Sequence, residues 1–269
     1  MDSFASGFAG VDGAGDSHSF VHYLDLIHSL PFFRDCKQES YRRLGIRPGA
    51  AVLEIGCGNG VDAMILAGMA GPDGQVIGID VSTTMLASAR TRSGTAPGSP
   101  GYLLCDAGVL AFPEGTFNAV RADRVIQHTK DPSAVVREMA RVTRGGGTVV
   151  AFEPDWETFV LSPGERETTR KVLHFWCDRI PSGWVGRSLP GAFAAAGLKD
   201  VTVEPVTLVL TGRAVAGKVF DLDTTRTLAA EAGVISAKEA ETWEQSQLQA
   251  DAAGQFFSSL TFYMITGKK

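Results

Sequence analysis

The sequence predicts an α/β fold: a seven-stranded, mostly parallel sheet with an antiparallel last strand and helices on both faces. A helical lid is expected from the N-terminus and from C-terminal insertions. Three observations carry this. Short apolar runs alternate with helical patterns from Ala51 to Phe152, the order that right-handed crossovers turn into a parallel sheet. The run Ala51-Val52-Leu53-Glu54-Ile55 breaks at Gly56-Cys57-Gly58-Asn59-Gly60 and continues at once as a helical pattern. Two more strand patterns, separated by a helical pair, close the chain.

In order, residues 1–19 are rich in Gly, Ser, Ala and Asp and are expected to be mobile. Phe20 to Leu30 places Phe20, Leu24 and Ile27 on one helical face. A second helix over Pro31 to Leu44 leads to the turn Arg47-Pro48-Gly49. Strands are predicted at Ala51–Ile55, Gln75–Ile79, Gly101–Cys105, Ala119–Ala122 and Gly147–Phe152. The helices between them are Val61–Ala70, Thr83–Arg92 and Pro132–Thr143. Beyond Phe152 the pattern gives helices at Glu165–Asp178 and Leu189–Ala196, then a strand at Val201–Val209. The helical pair Val215–Ala232 and Ser236–Gly254 separates that strand from the last one, Phe257–Thr266.

Bulk properties narrow the partners. A net charge of −5 argues against a ligand held mainly by its phosphates, so no nucleic acid is expected. No window approaches the roughly 18 apolar residues needed to span a bilayer. The N-terminus lacks a basic region followed by an apolar core, so no secretory signal is expected. Cys36, Cys57, Cys105 and Cys177 are widely spaced and form no C-x-x-C pair, which argues against zinc or disulfides and suits a cytoplasmic setting. Monomer and homodimer both remain open.

The glycine turn has the chemistry of a nucleotide or nucleoside cleft. Glycine accepts positive φ and brings no Cβ against a ligand, and a helix N-terminus offers free N–H groups. A dinucleotide fingerprint would need a small residue where Val61 stands. The register is instead an acidic residue, one spacer, then G-x-G-x-G: Glu54, Gly56, Gly58, Gly60. Asp80 ends the second strand as a carboxylate able to accept from two ribose hydroxyls. Asp106, after the third strand, is placed to accept from an exocyclic amine or to cap a turn at Gly108.

Taken together, this set resembles the class I S-adenosylmethionine-dependent methyltransferases of Rossmann-like fold, in the UbiE-like (methyltransferase type 11) small-molecule branch. The strand–turn Val52–Gly60, the strand end at Asp80, Asp123-Arg124-Val125-Ile126-Gln127-His128 with Asp131-Pro132, and Arg141-Val142-Thr143-Arg144-Gly145-Gly146-Gly147 carry the likeness. Gly145 stands where the family often has proline. The resemblance implies a helical lid over residues 1–45, a cofactor-binding core over 46–153, and lid insertions plus the last core elements over 154–269. It implies S-adenosyl-L-methionine as cofactor, with S-adenosyl-L-homocysteine as product, and a small, largely apolar acceptor of secondary metabolism methylated on O, N or C. By position, it implies that Glu54, Gly56 and Gly58 approach the cofactor and that Asp80 takes its ribose. It also puts Val81 and Met85 on the adenine face, Asp106 and Ala107 at the adenine edge, and Arg124 by the methionine portion. The N-terminal helix folds over the cofactor in similar enzymes, which makes Tyr23 a candidate contact.

Outside the cofactor motifs the alternatives stay open. His128 is a candidate general base, with an ordinary pKa near neutrality, or a structural histidine beside Thr129 and Asp131. One of Glu153, Asp155 and Trp156 is expected to line the substrate cavity, with Asp155, Trp156 and His174 the candidate substrate contacts. Trp176 and Trp184 are lid core or pocket wall. Arg187 is read as a salt-bridge partner before a substrate carboxylate. An NAD-dependent oxidoreductase and a non-methylating S-adenosylmethionine-binding protein, a cyclase or regulatory subunit, are the competing functions.

Overall fold

The computed structural model describes residues 7–8, 10–13 and 17–269. Of the stretch expected to be mobile, residues 1–6, 9 and 14–16 lie outside the described residues. Val11–Gly13 form a 3₁₀ turn. Helices α1 (Ser17–Ser29) and α2 (Pro31–Leu44) follow.

Five strands then build the core: β1 (Ala51–Ile55), β2 (Gln75–Asp80), β3 (Gly101–Leu104), β4 (Phe117–Asp123) and β5 (Thr143–Pro154). Helices α3 (Val61–Ala70), α4 (Thr83–Ser93) and α5 (Pro132–Val142) connect them. Pairing along β3-β2-β1-β4-β5 is parallel throughout. The central strands are continuous apolar runs because both faces are covered: Val52, Leu53 and Ile55 of β1 are fully buried.

After β5 come β6 (Val160–Ser162), α6 (Arg166–Arg179), α7 (Val185–Ala195), β7 (Lys199–Leu210), α8 (Arg213–Val219), α9 (Leu222–Glu231), α10 (Ala237–Ala252) and β8 (Phe257–Lys268). β8 runs antiparallel to β5 and to β7, with α8–α10 inserted between β7 and β8. The sheet has eight strands rather than seven. Short β6 takes up the first residues of β8, Phe257 to Ser259, beyond the point where β5 has ended. The single helix expected over Val215–Ala232 is two helices, broken at Asp221, whose φ is +47°. A non-glycine residue in that region interrupts the helical ladder.

Candidate functional site

At the carboxyl ends of β1, β2, β4 and β5 lies a cavity of about 640 Å³, within the roughly 300–1,000 Å³ range of ligand sites. The glycine turn forms one wall. Gly56, Gly58 and Gly60 have φ of +62°, +50° and +83°, so a side chain at any of them would be strained. A Cβ on Gly56 would also strike the Val125 side chain, and one on Gly60 would meet Tyr102 and Ala89.

Asp80 anchors this turn from the neighbouring strand. Its Oδ2 accepts from Gly58 N at 2.9 Å and its Oδ1 from Ser82 N at 2.9 Å. Each oxygen keeps a second lone pair. Burial holds the Asp80 carboxyl above the usual carboxylate range. Val81, Met85, Asp106, Ala107 and Arg124 line the cavity with it. Asp106 also caps its own turn, its Oδ1 accepting from Gly108 N at 2.7 Å. Arg124 adopts φ +56°, and its guanidinium sits 4.8 Å from the Phe33 ring while bonding Asp123 Oδ1 at 2.7 Å.

The N-terminal segment closes over this wall. Asp12 reaches the start of α4, accepting from Ser82 Oγ (2.6 Å), Thr83 N (2.7 Å) and Thr84 N (3.1 Å). Those bonds keep its carboxyl far below the ordinary value. Asp25 of α1 accepts from Asn59 Nδ2 at 3.0 Å, tying the helix to the glycine turn. Tyr23 lines the cavity and donates from its hydroxyl to the Val219 carbonyl at 3.0 Å, joining the N-terminal helix to α8. Burial pushes its phenol up to about 12.

Glu54 lies elsewhere than expected. It does not line the cavity; it is 1% exposed and pairs with Arg121, its direct register partner on β4. Two residues short of the glycine turn, its side chain falls on the covered face of the sheet. There it joins a buried cluster that sequence reasoning missed. Lys37 of α2 bonds Asp62 and reaches Asp123 Oδ2 at 3.0 Å. Arg121 reaches Asp123 Oδ2 at 2.6 Å, and the Tyr41 hydroxyl donates to Asp62 Oδ1 at 2.5 Å. With Arg124 the cluster sets three cations against three carboxylates. Burial pushes Glu54 up to about 8, whereas Lys37 and Arg121 overcome the same burial to hold Asp62 low. Lys37, Asp62 and Asp123 line the cavity beside Gly56. The available signal was Lys37 on the stripe of Phe33, Ser40, Tyr41 and Leu44, all buried.

The other end of the cavity is apolar. Trp156, Trp176, Ile180, Phe220, Leu260 and Phe262 line it, with the Trp156 and Trp176 rings 5.5 Å apart. The Trp156 indole donates to Gln127 Oε1 at 2.7 Å. Of Glu153, Asp155 and Trp156, Trp156 is therefore the one that lines the cavity. Asp155 is wholly buried, does not line the cavity and accepts from two of the three guanidinium nitrogens of Arg187, from Nη2 at 2.7 Å; Arg187 is the salt-bridge partner the sequence suggested. His174 is exposed and does not line the cavity. The buried face of α6 carries Val172, Leu173, Trp176 and Cys177, and helical spacing turns residue 174 away from it.

His128 stands between the two ends, on the 3₁₀ turn Ile126–His128, and lines the cavity. Burial and the Arg124 charge lower its pKa to about 4, so the ring is neutral at physiological pH. Its Nδ1 is buried with no partner among the described residues, so no carboxylate orients it.

Comparison with known proteins assigns the fold a family. The "Methyltransferase domain" family model matches residues 53–151. The "Uncharacterized 37.1 kDa protein in transposon TN4556" of Streptomyces fradiae is 34% identical over 249 residues, covering 92% of this chain and 71% of that protein. The demethylmenaquinone methyltransferase of Bacillus mycoides (strain KBAB4) is 28% identical over 202 residues, 68% of this chain and 85% of that one. The chain belongs to the class I S-adenosylmethionine-dependent methyltransferases. Phosphoethanolamine N-methyltransferase 2 of Haemonchus contortus, solved with S-adenosyl-L-methionine, shares the fold with a TM-score of 0.63 at 19% identity, over 100% of this chain and 60% of that one. Membership of that class makes S-adenosylmethionine the cofactor, which removes the dehydrogenase alternative. The left-handed glycine turn and the free lone pairs of Asp80 suit a nucleoside with a ribose diol. Among the described residues no helix is long and apolar enough to cross a membrane.

Proposed function

We propose that this methyltransferase methylates a small, largely apolar metabolite on O, N or C, in secondary metabolism. The observation that carries the reading is the two-ended cavity: a polar end at the glycine turn and Asp80, and an aromatic end at Trp156, Trp176, Phe220 and Phe262. Bound S-adenosylmethionine supplies a methyl group already activated by its sulfonium. The chain's residues are left with holding, aligning and drying.

Asp80 accepts from the ribose, Met85 and Val81 flank the adenine, and Asp106 with Ala107 meets its edge. Gly56, Gly58 and the Arg124 backbone lie at the methionine end, where Lys37 beside Asp62 and Asp123 offers both signs of charge to a zwitterion. Tyr23 of the lid closes over the junction. Alignment of this kind can lower a barrier by about 7–11 kcal/mol, and the aromatic end keeps water from competing. His128 is the group able to take a proton from a hydroxyl, phenol or enol acceptor. Neutral at working pH, it is free to accept, although its low basicity suits acidic acceptors best.

Labelled S-adenosylmethionine tests this when incubated with the protein and a fractionated extract of its native cell. Label in the organic-soluble small-molecule fraction, with stoichiometric release of S-adenosylhomocysteine, is the expected result. Label confined to protein or nucleic acid overturns the substrate class. Substrate conversion without that release identifies a non-methylating role.

A further inference from the structure

The turn that divides the cavity is gripped from outside it. Glu153, near the end of β5, is 0% exposed and does not line the cavity. Its backbone is fixed in the sheet opposite Tyr263 of β8. Its Oε1 accepts from Val125 N at 2.8 Å and Ile126 N at 2.7 Å, and its Oε2 from Gln127 N at 3.3 Å. Three successive backbone donors thus converge on one carboxylate.

What they hold is strained and functional. Arg124, just before, is in the left-handed region at φ +56°, a conformation a non-glycine residue keeps only when its surroundings demand it. Val125 packs directly on Gly56, since a Cβ there would strike its side chain. Gln127 anchors the Trp156 indole, and His128 ends the turn. If the turn relaxed, Val125 would shift against the glycine wall, and Gln127 and His128 would shift at the apolar end.

We propose that Glu153 is a positioning residue: by binding the 125–127 amides it sets the shape of the cofactor wall, although it touches no ligand. This rests on the cofactor and not on His128 being a base or on the identity of the acceptor.

The test titrates the full-length protein with S-adenosylhomocysteine by calorimetry, for wild type, Glu153→Gln and Glu153→Leu, with melting temperatures alongside. Burial pushes the Glu153 carboxyl up to about 8, so the contrast rests on geometry: glutamine keeps one acceptor oxygen for Val125 N and Ile126 N but sets its NH₂ against Gln127 N, whereas leucine leaves all three donors unpaired. Affinity should fall about fivefold for Glu153→Gln and about thirtyfold or more for Glu153→Leu. Melting temperature need not follow that order, because leucine also removes a buried carboxylate. Partial rescue by glutamine is the mark of positioning through hydrogen bonds. Affinities within twofold of wild type in both folded variants, whatever their melting temperatures, would show a role in stability alone. Should Glu153→Leu not fold, Glu153→Gln decides by itself: weaker binding with faster exchange of the 125–127 amides supports the assignment, and the absence of either change overturns it.

Discussion

Replacing Asp80 with asparagine should weaken S-adenosylhomocysteine binding by about thirtyfold. In the structure Asp80 Oδ2 takes Gly58 N and Oδ1 takes Ser82 N, both at 2.9 Å. Each oxygen has one further lone pair for a ribose hydroxyl. The substituted side chain would keep one carbonyl oxygen and turn an amide NH₂ toward one of those two N–H groups, donor against donor. One charged-acceptor bond to the ribose is lost, worth about 1.5–3 kcal/mol; the backbone N–H is unpaired with and without ligand, so its cost of about 1–3 kcal/mol falls on stability and not on affinity. The affinity loss is then about 2 kcal/mol, and each 1.4 kcal/mol is tenfold. Calorimetric titration near neutral pH, with a melting curve to establish that the variant is folded, measures it. Because burial raises the Asp80 pKa, wild-type affinity should also decline on acidification sooner than an ordinary carboxylate would require. An Asp80→Asn variant that binds within threefold of wild type would refute the ribose assignment.

Two more perturbations follow from other groups. Burial lowers both His28 and His128 to about 4, below the ordinary histidine value of 6.5, so the unfolded chain binds more protons between those limits. Their stability contribution is therefore complete above about 6.5 and lost as pH falls toward 4; the melting temperature should drop over that window, and less in His128→Gln. If His128 is the base, methyl transfer should hold its rate down to about pH 5 in a pH–rate profile, and a limb near 6.5 would argue for a different group. Removing Arg187 strands the wholly buried Asp155; Arg187→Ala should cost about 2 kcal/mol or more by chemical denaturation, and adding Asp155→Asn should recover most of it, whereas equal losses in single and double variants would deny the coupling.

The legible parts of this protein were those written in local pattern. Ala51–Ile55, Val61–Ala70 and Pro31–Leu44 have the predicted ends, because period, proline and glycine mark them within a few residues. Strand β6 was not legible: three residues pair only because β8 outruns β5, and no local pattern encodes a vacancy on a partner strand. The break at Asp221 was hidden as well, since no proline or glycine stands between Lys218 and Asp223 to mark it.

The site divides along the same line. Gly56, Gly58, Asp80, Met85, Asp106, Ala107, Arg124 and His128 stand at or just past strand ends, and strand ends on one edge of a parallel sheet meet whatever the lids do. Sequence alone thus determined the fold class, the cofactor and the sheet edge that carries the cavity. Tertiary structure decided which way side chains turn and what they find there. Glu54 and Arg121 are adjacent only through β1–β4 register, Asp155 meets Arg187 across a helix packing, and Lys37 enters the charge cluster because α2 packs on β4 and β5. Such pairings join residues tens of positions apart, and only the folded chain brings their charges within bonding distance.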